Sequence, residues 1–137
     1  MPRIVALDVG DATIGVAATD ELGLVAAPVR TVYRTKSIKA DLRAVVELLT
    51  ELGASEVVVG NPIDVSGVEG AQSAKVREFA DRLAARLRIP LVFVDESYTT
   101  AEAEDEMIAM NVSRAKRRRK IDSAAAVLIL ESYMRQQ

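Results

Sequence analysis

The sequence contains no cysteine and no histidine. The first absence excludes disulfides, thiolate nucleophiles and cysteine-ligated zinc. The second removes the commonest general base and the commonest metal ligand, and with them Ser-His-Asp and Cys-His catalysis. There is no tryptophan and aromatics make up 4% of the chain, so Val, Ile, Leu and Ala must do the packing within an apolar fraction of 50%. No apolar run approaches the roughly 18 residues that span a bilayer. The start, Met1-Pro2-Arg3-Ile4, runs into an apolar stretch without a small-residue cleavage site. A cytoplasmic protein with no membrane partner is therefore expected. A length of 137 residues predicts one domain over 1–137.

What remains for chemistry is carboxylates, Lys, Tyr, hydroxyls and backbone amides. Carboxylates alone favour hard, oxygen-loving cations, Mg2+ or Mn2+, and so point to phosphate chemistry. The net charge of −2, from 18 basic and 20 acidic residues, names no partner. Its distribution is more informative. Six of the seven residues from Arg114 to Lys120 are basic, and six of the twelve from Asp95 to Glu106 are acidic. A local basic patch can bind nucleic acid even on a slightly acidic protein.

Arg3 to Asp8 reads as a buried strand and Asp8-Val9-Gly10-Asp11 as a turn. Ile14 to Thr19 reads as a second strand, Asp20 to Gly23 as a hairpin turn, and Leu24 to Tyr33 as a third strand, broken or bulged at Pro28. From Ser37 to Leu52, Ile38, Leu42, Val45, Val46, Leu49 and Leu52 fall on one helical stripe closed by Gly53. Glu56 to Gly60 is a short strand, followed by a loop through Asn61 and Pro62. A helix with Val76, Phe79, Ala80, Leu83 and Leu87 inward runs from about Gly70 to Leu87, and Leu91 to Val94 is a further strand. Thr99 and Glu102 form a capping box for a short helix ending near Met110, and a last helix runs from about Lys120 to Tyr133. The order β-β-β-α-β-α-β-α-α predicts an α/β fold: a mixed five-stranded sheet, three antiparallel strands then two parallel, with helices on both faces.

In such a sheet ligands collect at the carboxyl ends of the parallel strands. Three strand ends meet there: Asp8, Gly60-Asn61-Pro62, and Asp95-Glu96. Asp8 suits a metal-binding carboxylate, with Gly10 letting metal or phosphate approach the backbone; a plain turn aspartate is the alternative. Asp95 and Glu96 are adjacent and point oppositely along an extended chain, so only one faces the site. Asp122 shares a helical face with Ala125, Ala126, Ile129 and Tyr133, where a carboxylate is costly unless paired or metal-bound. A place in the first helical turn, near the positive end of the dipole, and a pairing with Arg118 are the competing explanations. Arg114, Lys116, Arg117, Arg118, Arg119 and Lys120 lead directly to Asp122 and would steer a polyanion in. Without flanking aromatics, recognition would run through the nucleic-acid backbone and its shape.

Asp8-Val9-Gly10 with Ile14-Gly15-Val16-Ala17, Val59-Gly60-Asn61-Pro62, Asp95-Glu96 with Thr99-Thr100, and Lys120-Ile121-Asp122-Ser123-Ala124-Ala125-Ala126 with Leu130-Glu131-Ser132-Tyr133 resemble the YqgF/RuvX family over nearly the whole chain. These are small bacterial ribonuclease-H-like proteins, described as Holliday-junction resolvases and as nucleases maturing the 5′ end of pre-16S ribosomal RNA. The resemblance implies a ribonuclease-H-like fold and an acidic triad of Asp8, Glu96 and Asp122, and so selects Glu96 over Asp95. Two departures stand out. The family's basic pair after the Asp-x-Gly turn is replaced by Ala12 and Thr13, and its arginine after Asp-Glu by Ser97.

The expected activity is phosphodiester hydrolysis with Mg2+ or Mn2+ held by Asp8, Glu96 and Asp122, and with Asn61 helping to orient the substrate. Holliday-junction resolution would call for a homodimer with two-fold symmetry, whereas RNA processing would not. A nucleic-acid-binding factor that keeps the fold without catalysis is the main alternative. A nucleotide-binding ATPase of the actin and sugar-kinase kind is a more distant one, since those normally place two such domains around the nucleotide.

Overall fold

The computed structural model describes residues 3–62, 70–96 and 114–136, with the backbone alone for residues 96 and 114–123. Three strands open the chain: β1 (Arg3–Val9), β2 (Thr13–Thr19) and β3 (Ala26–Tyr33). Helix α1 (Ile38–Leu52), strand β4 (Ala54–Pro62), helix α2 (Ala71–Ala84), strand β5 (Leu91–Glu96) and helix α3 (Arg114–Arg135) follow. The sheet order is β3-β2-β1-β4-β5. β1–β2 and β2–β3 are antiparallel, whereas β4 and β5 run parallel to β1. The five-stranded mixed sheet expected from the sequence is the one observed. The short helix expected over 99–110 falls outside the described residues.

Period-2 alternation divides the sheet into two unlike faces. One carries Val5, Leu7, Val9, Ile14, Val16, Ala18, Val57 and Val59 against Leu42, Val45, Leu48 and Leu49 of α1 and Val76, Phe79, Ala80 and Leu83 of α2. The other presents Ala6, Ala17, Val58 and Val94 to Ala126, Ile129 and Leu130 of α3. Branched residues fill the first face. Small ones line much of the second, so a single helix can lie close to the strands.

Local signals account for most boundaries. Ser37 caps α1 by accepting a hydrogen bond from the Ala40 amide, and Gly53 ends it in the left-handed conformation at φ 66°. Opposite β2, the partners of Val16 and Ala17 are Arg30 and Pro28, leaving Val29 as the extra residue of a bulge. The irregularity expected at Pro28 is thus present, on an edge strand where a missing amide is tolerated. β4 and β5 extend two residues beyond the expected Gly60 and Val94, because Asn61 and Asp95, then Pro62 and Glu96, continue the pairing register.

The last helix corrects the expectation most. It begins at Arg114 rather than near Lys120, so the basic run forms its first two turns instead of leading up to it. Arg and Lys are good helix formers, and that propensity prevails over the self-repulsion that makes the run read as a separate segment.

Candidate active site

Asp8 belongs to the parity of Ile4 and Ala6 and so lies on the α3 face, half-buried at the carboxyl end of β1. Its β2 partner is Gly15. On the other side Leu7 pairs with Val59, which brings Gly60 beside Asp8. The carboxylate is therefore flanked on both neighbouring strands by residues without side chains. A Cβ at Gly60 would lie 2.9 Å from Ile129 Cγ1 and nearer still to Cδ1. Gly60 is what allows α3 to seat against the sheet here.

Position 96 has the parity of Val92 and Val94, which pack on the α3 face. Asp95 has the opposite parity, and its own partner accounts for it: Asn61 Nδ2 donates to Asp95 Oδ1 at 3.0 Å. Asn61 Oδ1 in turn accepts a hydrogen bond from Ser73 Oγ in the first turn of α2. Asn61 is wholly buried. Expected from the sequence to orient the substrate, it has its amide engaged at both ends by Asp95 and Ser73.

Asp122 lies in the third turn of α3, one turn before Ala126 on the sheet-facing stripe. The first-turn explanation for this acid falls away, because the dipole acts only over the opening turn. Arg114, Lys116, Arg117, Arg118, Arg119 and Lys120 occupy the two turns before it. A helix of 22 residues is about 33 Å long. The residues it buries among those described, Ala126, Ile129 and Leu130, lie in its second half.

Gly10 closes the β1–β2 turn, its amide donating to the Thr13 carbonyl at 2.9 Å. A Cβ there would approach that same oxygen to 3.0 Å, so the tight turn already favours glycine. The turn is gripped by a group that sequence reasoning missed. Arg34 donates through NH1 to the Gly10 carbonyl at 2.9 Å and through Nε to Asp41 Oδ2 at 3.2 Å. Asp41, buried in the first turn of α1, also accepts from the Thr35 amide and hydroxyl. Burial pushes the Asp41 carboxyl upward, but the Thr35 hydrogen bonds and Arg34 outweigh it and hold it below the usual carboxylate value. The visible signal is an acid interrupting the apolar stripe of α1 just after a cation at the end of β3.

Among the residues whose side chains are described, no three acids cluster to hold a metal; Glu96 and Asp122 are outside that set. The donor chemistry nevertheless fits a hard divalent cation: carboxylate positions approach one sheet edge, around a half-buried Asp8 at the end of β1.

Comparison with known proteins gives the family and the fold. A family model described as RuvX, Holliday junction resolvase, matches residues 2–136. A protein of Desulforudis audaxviator, provisionally named a pre-16S rRNA nuclease, is 42% identical over 132 residues, which are 96% of this chain and 93% of its own. One of Syntrophus aciditrophicus with the same name is 44% identical over 132 residues, covering 96% and 87%. Among solved structures, RuvC of T. thermophilus in complex with a Holliday junction substrate superimposes with a TM-score of 0.59 at 16% identity, covering 93% of this chain and 90% of that one. At that identity the likeness is one of fold, and the fold is ribonuclease-H-like.

Proposed function

The chain belongs to the RuvX family and is a nuclease, and from that premise we propose a divalent-metal-dependent endonuclease that hydrolyses phosphodiester bonds in structured nucleic acid. The observation that carries this reading is the register at the sheet edge. Asp8 lies between two glycines, position 96 shares its face, and position 122 lies one turn before the helix residues packed on that face.

Asp8, Glu96 and Asp122 would hold Mg2+ or Mn2+. When bound, such a cation lowers the pKa of water and neutralises phosphate charge, which suits a chain without histidine. The protein's own residues do the rest. The Arg34–Gly10 clamp fixes the turn after Asp8, and the close seat of α3 on Gly60 fixes the helix that carries Asp122. The cations of the first two turns of α3 bind the substrate's phosphates, in place of those lacking at Ala12, Thr13 and Ser97.

The test is cleavage, with Mn2+ or Mg2+, of a labelled four-way DNA junction and of a pre-16S 5′-end RNA. Metal-dependent cutting lost in Asp8→Asn and in Asp122→Asn is expected, and the substrate that is cut assigns the class. Binding of either nucleic acid with no cutting by the wild type would instead identify a non-catalytic factor.

A further inference from the structure

Of two adjacent acids at the end of β5, one is tied down. Asp95 is matched to Asn61 in the β4–β5 register, and their side chains meet at 3.0 Å. Asn61 is wholly buried and receives the hydroxyl of Ser73, itself 1% exposed. A chain of hydrogen bonds thus runs from the first turn of α2 through β4 to the last paired residues of β5. One helical turn further along α2, Arg77 lies over the Phe93 ring at 4.8 Å. Phe93 and Asp95 share a parity, so α2 grips the same face of β5 at two successive positions.

We propose that Asn61 and Asp95 are positioning residues: by holding Asp95 to the α2 side they fix the parity and register of the strand end and so direct position 96 to the face of Asp8. The inference rests on the metal-site reading above. An edge strand at its terminus is free to fray or twist, and a one-residue slip would exchange Asp95 for Glu96. The Asn61 bond opposes that slip at the place where it matters. The role needs an acceptor at position 95, not a negative charge.

The test is Mn2+ binding to the full chain by calorimetry, without nucleic acid, alongside thermal unfolding. Asp95→Ala, and separately Asn61→Leu combined with Ser73→Ala so that no buried hydroxyl is orphaned, are expected to weaken Mn2+ binding by about tenfold, the lower end of what losing a ligand's support costs. Asp95→Asn keeps the acceptor and should stay within about twofold of wild type. Asp95→Ala is expected to unfold at a lower midpoint than Asp95→Asn, because Asn61 Nδ2 loses its acceptor, and binding is compared at a temperature where both variants are folded. Equal weakening in Asp95→Ala and Asp95→Asn would overturn the proposal in favour of a charge effect. Wild-type affinity in Asp95→Ala would overturn it outright, with the metal site left standing provided Asp8→Asn abolishes binding. No Mn2+ site in the wild type would overturn both readings.

Discussion

Asp41 and Arg34 form the best-buried ion pair among the described residues, with side chains 2% and 16% exposed. Removing Arg34 would leave the Asp41 carboxylate short of a partner and the Gly10 carbonyl without its clamp. Arg34→Ala should cost about 3 kcal/mol in chemical denaturation. Because Asp41 titrates below its ordinary value, its contribution is fully present above about pH 3.9 and drains away as pH falls through the folded value. Asp41→Asn should therefore be less stable than wild type at neutral pH, and its stability should fall less steeply on acidification. At the neighbouring strand end, Glu96→Gln should abolish cleavage where Asp95→Asn preserves it. Alternation in the sequence narrows that pair to one of two and goes no further, because the parity of β5 is set by its partners. Asp41 leaves a mark in the sequence by interrupting the stripe of α1, but its partner Arg34 is not identified there, because the two meet only when β3 hands over to α1. Asn61 reads by its chemistry as a substrate group, whereas its burial depends on how far β4 extends.

Elements reveal themselves according to how sharply they are punctuated. Helix α1 has a serine cap and a left-handed glycine, and its limits are legible to within a residue. Helix α3 opens on the basic run just after Ser113, and a run of like charge reads in the sequence as an interruption rather than as helix. The ends of β4 and β5 come out short in the sequence because the hydrophobic run stops before the hydrogen bonding does. Two substitutions probe these elements. Ser37→Ala should cost about 1 kcal/mol through the lost cap, with no effect on metal binding. Gly60→Ala should destabilise by about 1–3 kcal/mol through overpacking against Ile129. Adding Ile129→Val should return part of that loss and part of the cleavage rate, which thermal unfolding and kinetics on the double variant would measure.

At the scale of the molecule, strand order and direction follow from connection rules, since helices join β3 to β4 and β4 to β5. Substrate does not follow from topology. Sedimentation with a four-way junction separates the two expected classes: symmetrical cutting requires a two-fold dimer on the junction, whereas a monomer active on pre-16S RNA assigns RNA processing. Electrostatics offers a second whole-molecule test. Replacing Lys116, Arg117 and Arg118 by alanine should lower the salt dependence of nucleic-acid binding by about 0.9 in the logarithmic slope for each phosphate no longer neutralised. Fluorescence anisotropy across a salt series would measure it.

The division of the sheet into two faces also orders events in time. The branched face is complete once residues 5–93 exist, for both covering helices and its strands, including Leu91 and Phe93 of β5, lie within them. The opposite face waits for Ala126, Ile129 and Leu130. On a ribosome that releases the chain from its N-terminus, a half-covered sheet forms first, and the helix bearing Asp122 docks last. A chain cut short before α3 would expose an alanine-lined surface and lack one acid of the proposed triad. Synthesis itself thus withholds the proposed metal site until α3 has been made.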